Sequence, residues 1–429
     1  PHESLRHPVA ASNLVATSQP LAVQAGLQAL RLGGNAVDAA LSAAITLTVV
    51  EPTGNGVGSD AFALVWDGSR LHGINGSGRS PKAWTPSYFS DYDSMPQFGW
   101  DSVTVPGAVD LWRCLSAQFG KLEFEQLFES AIHYAEKGFL VGFRTAFDWN
   151  NGPAEWYQDF PEFRKTFLPA PQVGERYFRA DLAKTLRTLS RDPRSMYEGT
   201  IAEKIIQSSK LEKSAFNYED LASHETEWVA PISMPYRDVI VHEIPPNGQG
   251  LAVLVALGIL NELEVTPGDS LESVHTQIEA MKIALHTAAR WISDPSHMKI
   301  TIEALLDPAG LRNLAGSICT TSSCIPPLSM PAGHDTVYLS AADDNGMMVS
   351  FIQSNYFGFG SGIVIPDTGI TMQNRGWGFT LEEGHPNEVG PKKKPFHTII
   401  PGFITRDGKA LASFGVMGGP MQAQGHVQM

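Results

Sequence analysis

The sequence predicts a mixed helix-and-sheet fold built as one compound domain, on three observations. Two Ala/Leu-rich helical runs stand near the start, helical periodicity dominates the middle, and the part from Thr336 onward reads mostly as strand. No Pro/Ser-rich linker or break in composition divides the 429 residues into independent units.

The opening runs cover residues 20–32 and 36–49 and meet at Gly33-Gly34-Asn35, a helix stop followed by a cap, so they are expected to form a packed pair. The apolar stretch 36–50 carries Asp38, Ser42 and two threonines. It falls short of the roughly 20 residues that span a bilayer, so a buried helix is expected rather than an anchor. After Pro52 the glycine-rich turn TGNGVG leads into AFALVW, the turn Asp67-Gly68 and a returning strand at 71–74, a hairpin that ends in GSGRSP. Helical patterns follow at 124–136, 182–190, 251–264 and 271–292. Strand patterns return at Val239–Glu243, and then in TVYLSAA, the turn DDNG, and MMVSFIQS. Between the helical middle and this sheet lies SICTTSSCIPPLSMPAGHD, rich in turn formers and expected as an exposed loop.

A formal charge of −14 leaves no basic stripe for nucleic acid or for an anionic membrane surface, which makes a small molecule the expected partner. Cys114, Cys319 and Cys324 make an odd count that argues against a disulfide framework and favours a reducing compartment such as the cytoplasm. A leader already removed would leave no trace, so localisation stays open. The chain contains no G-x-S-x-G, H-E-x-x-H or G-x-x-x-x-G-K-[ST]. The string GVGSDA is the nearest thing to a dinucleotide loop, but a helix precedes it and a strand follows, the reverse of what phosphate binding needs. The thirteen histidines lack ligand spacing, and no metal or cofactor is expected.

One ordered set of strings carries the chemistry. LGGNAVDAA, VEPTGNGVGSDAF, the arginine of GSGRSP, VPGAVDLW, PPNGQG, DTVYLSAADDNG, SNYFGFGSGIV, NRGWGF and GVMGGP run through the whole chain. In this order they resemble the γ-glutamyltranspeptidases and their acylase-like relatives. The resemblance implies an α+β fold, the four-layer αββα sandwich of the N-terminal-nucleophile hydrolases. It also implies scission between Asp335 and Thr336, dividing the chain into a large-subunit region 1–335 and a small-subunit region 336–429 that together form one compound domain. Thr336 then becomes both chain end and nucleophile. A threonine hydroxyl needs an adjacent base, and a freed α-amino group with a pKa of about 7.7–8.0 supplies one on the same residue. Taken alone, Thr336 is an ordinary β-branched strand opener.

By the same resemblance Ser354 touches the nucleophile, and Gly418 and Gly419 offer backbone N–H groups to the oxyanion. Arg79 matches an arginine that clamps a substrate carboxylate. His397 and Thr398 stand where transpeptidases have a serine pair. In NRGWGF, residues Asn374, Arg375, Gly376, Trp377 and Gly378 occupy the stretch where γ-glutamyl enzymes carry an acid for the substrate's ammonium, and Tyr356 replaces an asparagine at that end. The stretch 380–395 is shorter than in members with a lid. Asn374, Trp377, Tyr356, His397 and Thr398 are therefore expected to line a more open and apolar pocket for a small carboxylate-bearing amide. Two alternatives remain at this point: a true γ-glutamyltransferase acting on glutathione, and an uncleaved, non-catalytic relative. Family members also continue beyond the position of GHVQM, with further sheet and helix, so an unpaired sheet edge is expected if those elements are absent.

Overall fold

The computed structural model describes residues 8–151, 153–263, 265, 268, 270–319, 321–323 and 336–429. Ten strands build its two main sheets: β1 (Leu14–Thr17), β2 (Asp60–Trp66), β3 (Leu71–Gly76), β4 (Glu227–Val229), β5 (Ile232–Tyr236), β6 (Val239–Glu243), β7 (Val337–Ala342), β8 (Met348–Ser354), β9 (Gly402–Arg406) and β10 (Lys409–Phe414). The first sheet runs β1-β7-β8-β2-β3-β4 and the second β10-β9-β6-β5, all neighbours antiparallel.

Strict alternation along the strands separates two cores. Ala61, Ala63 and Val65 of β2 join Val337, Leu339 and Ala341 of β7 on one face of the first sheet, against a helical layer. Phe62, Leu64 and Trp66 point the other way and meet Val241, Phe403 and Phe414 of the second sheet. Trp66 stacks on Phe403 with ring centroids 6.3 Å apart. The hydroxyl of Ser350 donates to the Phe414 carbonyl at 3.2 Å, a polar tie between the sheets.

Helices close both outer sides, which gives the expected four-layer αββα sandwich. On the first sheet lie α1 (Pro20–Arg31), α2 (Ala36–Val50) and α3 (Ala108–Phe119). Every residue of α2 is buried, as its all-round apolar sequence requires. Its one acid, Asp38, spends a carboxylate oxygen on the N–H groups of Asn35, Lys121 and Leu122. Asn35 forms the expected cap, completing a reciprocal capping box with Asp38. On the second sheet α4 (Gly250–Asn261) is buried almost throughout and packs beneath α5 (Leu271–Trp291).

The 124–136 pattern resolves into a 3-10 turn, Phe124–Phe128, and a helix, Glu129–Lys137. The Gln126 side chain folds back onto the Glu123 N–H and tightens that first turn. Strand β1 escapes a sequence reading because four residues are too few to show a period. α2 precedes GVGSDA and β2 follows it, so that string opens no helix. Cys114 carries a free thiol, while Cys324 and most of the loop before Thr336 lie outside the described residues. Among the described residues no helix is long and apolar enough to cross a membrane.

Candidate active site

Strand pairing brings the first two site residues together. The β7/β8 register ends at Val337 opposite Gln353, so Thr336 and Ser354 are the next pair along. Both hydroxyls share the face of Tyr338 and Ile352, and therefore lie between the two sheets. Thr336 Oγ1 donates to Ser354 Oγ at 3.2 Å, with both residues buried. Ser354 Oγ also accepts the Tyr356 N–H at 2.8 Å. Asp335 lies outside the described residues.

The glycine-rich loop after α2 holds the backbone on the far side of Ser354. Asn355 N–H donates to the Gly54 carbonyl and Gln373 N–H to that of Gly58. A Cβ on Gly58 would lie 2.1 Å from the Thr371 oxygen, so only glycine lets these backbones meet. Tyr356 is held at φ 86°, a conformation costing on the order of 1–3 kcal/mol for a residue with a side chain. Its ring carries the Arg375 guanidinium 4.7 Å above the centroid.

Arg375 is 1% exposed. Its Nη1 donates to Thr398 Oγ1 at 3.0 Å, whereas Nε and Nη2 have no hydrogen-bond partner among the described residues. Burial pulls its pKa down to about 10, against the opposing pull of Asp60. Asp60 stands opposite Ser354 on β2, accepts from the Gly107 N–H and shares a hydrogen bond with His397 Nε2 at 3.2 Å. Burial pushes the Asp60 carboxyl up to about 7, with the Arg375 charge opposing that rise. His397 is held well below its ordinary pKa by burial, then by the charges of Arg375 and Lys394, so the ring is neutral. Gln249 Nε2 donates both to the Thr398 carbonyl and to the Gly419 carbonyl, which draws the glycine pair to the same cluster. Gly418 and Gly419 have φ of 135° and 61°.

The other expected residues divide. Trp377 packs its ring against Tyr356 at 5.3 Å and Phe357 at 5.9 Å, forming an aromatic wall beside the guanidinium. Asn374 spends its amide on the chain, accepting from Phe357 N–H and donating to the Gln97 carbonyl. Arg79 is paired with Asp294 at 2.7 Å and Glu227 at 2.9 Å. Asp60, Gln249 and Arg375 are the residues that sequence reading passed over as site components. Each lay inside a quoted string, but nothing in spacing alone gives their partners.

Asp60 has a testable consequence. A carboxyl whose folded pKa lies above its unfolded value contributes stability below about pH 4 that is lost as pH rises to about 7. Asp60→Asn cannot ionise, so its melting temperature relative to wild type should climb between pH 4 and 7 and level off above, an effect of up to ~4 kcal/mol. A difference independent of pH would refute the buried, proton-retaining state.

A hydroxyl residue at the head of an inner-face strand in an αββα sandwich defines the N-terminal-nucleophile hydrolase and acyltransferase class. The Gamma-glutamyltranspeptidase family profile matches residues 22–429, and the chain belongs to that family. It is 36% identical over 425 residues to the glutathione hydrolase-like YwrD proenzyme of Bacillus subtilis, covering 97% of this chain and 80% of that protein. The oxamate amidohydrolase proenzyme of Klebsiella pneumoniae is 34% identical, covering 94% of this chain and 78% of the relative. Among solved structures, a cephalosporin acylase from Bacillus halodurans superposes with a TM-score of 0.92 at 44% identity, over 99% of this chain and 82% of that one. Both of these curated relatives are named as proenzymes.

Proposed function

We infer that the protein is a self-processing amidohydrolase or acyltransferase with Thr336 as nucleophile, acting through an acyl-enzyme on a small amide whose acyl group bears a carboxylate. The carrying observation is the Thr336 hydroxyl seated on Ser354 at the mouth of a central strand, between the sheets. In maturation Oγ1 attacks the Asp335 carbonyl and its proton passes to the Thr336 nitrogen as the C–N bond breaks, so the α-amino group is freed as the ester forms; water then hydrolyses the ester, releasing the Asp335 carboxylate and restoring the Thr336 hydroxyl. In turnover that amine takes the hydroxyl proton as Oγ1 attacks the substrate carbonyl. It then protonates the departing amine, and water hydrolyses the acyl-enzyme. Gly418 and Gly419 are assigned the developing oxyanion, close to Thr398 through Gln249. Tyr356 and Trp377 supply the apolar wall, which suits the acylase named among the similar structures better than recognition of an α-ammonium.

Intact mass and N-terminal sequencing of purified protein test this reading. Two polypeptides, the smaller beginning at Thr336, are expected. An active protein that stays a single chain would refute it. Ser354 is assigned to orientation rather than chemistry. Ser354→Ala should slow both self-cleavage and turnover by roughly ten- to a hundredfold, the scale of a misplaced reacting atom. Ser354→Thr, which keeps the hydroxyl, should recover part of the loss. Equal rates in all three proteins would remove Ser354 from the site.

A further inference from the structure

Phe143 and Phe147 stand one turn apart on the outer face of the helix Phe143–Asn151, where a surface helix ordinarily carries polar residues. They are 73% and 50% exposed and their rings stack with centroids 6.2 Å apart, while Thr145, Ala146 and Trp149 hold the buried face. Three further apolar side chains, each more than half exposed, lie beside them. Leu140 points outward from the short strand Phe139–Leu140, between buried Phe139 and Val141. Phe178 follows the strand Arg176–Tyr177 that pairs with it, and a Cβ on Gly138 would lie 2.9 Å from the Phe178 ring, so strand alternation puts Phe178 on the Leu140 face. Val173 precedes Gly174, whose N–H donates to the Val141 carbonyl, and the Asn150 amide donates to the Pro171 carbonyl of the same segment. These bonds gather the five side chains into one patch.

At such exposures they present on the order of 500 Å² of apolar surface, the top of the range for a monomer. A stable interface buries about 800 Å² on each partner, roughly 56–65% of it apolar. The patch supplies that apolar share, and the rim of Arg144, Asp148 and Arg176 supplies polar area around it. Charge also suits a second copy. The chain carries −14 overall, yet residues 140–178 hold four basic and five acidic side chains, a net of −1. Two copies can meet here while charge elsewhere, beyond about 8 Å, is screened.

A two-fold contact must be self-complementary. Arg144 and Asp148 flank the phenylalanine stripe on one side of the helix and pair with each other at 2.7 Å. A second copy of the helix, antiparallel about a two-fold axis between Thr145 and Ala146, keeps that flank on the same side and reverses its order. Each Arg144 then meets Asp148 of the other copy, and each Phe143 meets Phe147. One axis position satisfies both matches to within about 1.5 Å, the rise of one residue.

We propose that the face formed by Leu140, Phe143, Phe147, Val173 and Phe178 is a homodimer interface, with the helices Phe143–Asn151 of two copies packed antiparallel. The proposal does not depend on the nucleophile reading.

Sedimentation velocity and light scattering on the purified protein at micromolar concentrations test it. Wild type should measure as two copies. Phe147→Glu should measure as one, with an unchanged circular dichroism spectrum, because the side chain is half-exposed and the new carboxylate is desolvated only in the dimer. Leu211→Glu, at an equally exposed apolar residue on another helix, should remain two copies. Arg144→Glu and Asp148→Arg should each weaken association roughly tenfold or more, by setting like charges against each other across the axis. An equimolar mixture of these two variants should associate again. In the mixture each chain's own pair stays broken while both pairs between the copies are made. Wild type that measures as one copy, or Phe147→Glu that stays two, overturns the proposal. A mixture no better than either variant overturns the antiparallel arrangement. One copy that floats with phosphatidylcholine vesicles only when Phe147 is present would give the face to a lipid surface instead.

Discussion

Thr336→Ala is expected to yield one uncut polypeptide with no measurable amidase activity. The same oxygen is assigned both scission and turnover, so its removal abolishes both at once, and no neighbouring hydroxyl can substitute without moving a strand. Ser354, the nearest, is fixed at the end of β8 by the Tyr356 N–H. The fold should survive, because the Thr336 hydroxyl makes one modest contact and the adjoining Val337, Leu339 and Ala341 carry the burial. Circular dichroism and melting temperature should therefore stay close to wild type while electrophoresis shows a single band. Thr336→Ser keeps the oxygen and should still mature and turn over, more slowly, since losing the β-methyl loosens the rotamer. A cut, active alanine variant would assign the nucleophile elsewhere.

Gly418→Ala is expected to lower kcat by roughly 10²–10³, the measured scale for losing one oxyanion donor. At φ 135° the backbone lies where only glycine is at ease, and an added Cβ would stand 2.8 Å from Met421 Cγ. The methionine can swing aside, but the dihedral cannot be kept, so the N–H turns away from its mark. The defect should fall on acylation, visible as a slowed single-turnover phase with little change in KM. Gly419, at φ 61°, sits in the left-handed region that alanine enters at a cost of about 1–2 kcal/mol. The milder result at Gly419 is part of the expectation. A Gly418→Ala enzyme within a few-fold of wild type would exclude this N–H from the oxyanion.

Local pattern carried much of the fold. Residues 36–50 are apolar on every side and could only be an enclosed helix, and the alternation in DAFALVW shows one face for each core. The meeting of Thr336 with Ser354 was legible because it is tied to a motif, and their hydroxyls lie 3.2 Å apart. The two arginines show where the site was not legible. Arg79 sits in a string whose resemblance suggests a carboxylate clamp, yet Asp294 and Glu227 reach it from 215 and 148 residues away. Arg375 stands in the string where an ammonium-binding acid was missing, and its significance comes from Tyr356, Thr398 and Gln249 converging in space. Long-range pairing of this kind has no period and no fixed spacing.

The strand order of the first sheet has one more consequence. Strands β7 and β8, which belong to the part after residue 335, lie between β1 on one side and β2 on the other, both from the part before it. If the chain is cut before Thr336 as proposed, the two polypeptides are interleaved in a single hydrogen-bonded sheet, and β6 pairs with β9 across the same division in the second. They cannot part as folded subunits; separating them means melting both sheets. Reassembly then becomes an encounter between two molecules, whereas the uncut Thr336→Ala chain refolds on its own. Dilution should hinder recovery of the mature protein after denaturation and leave the uncut variant unaffected.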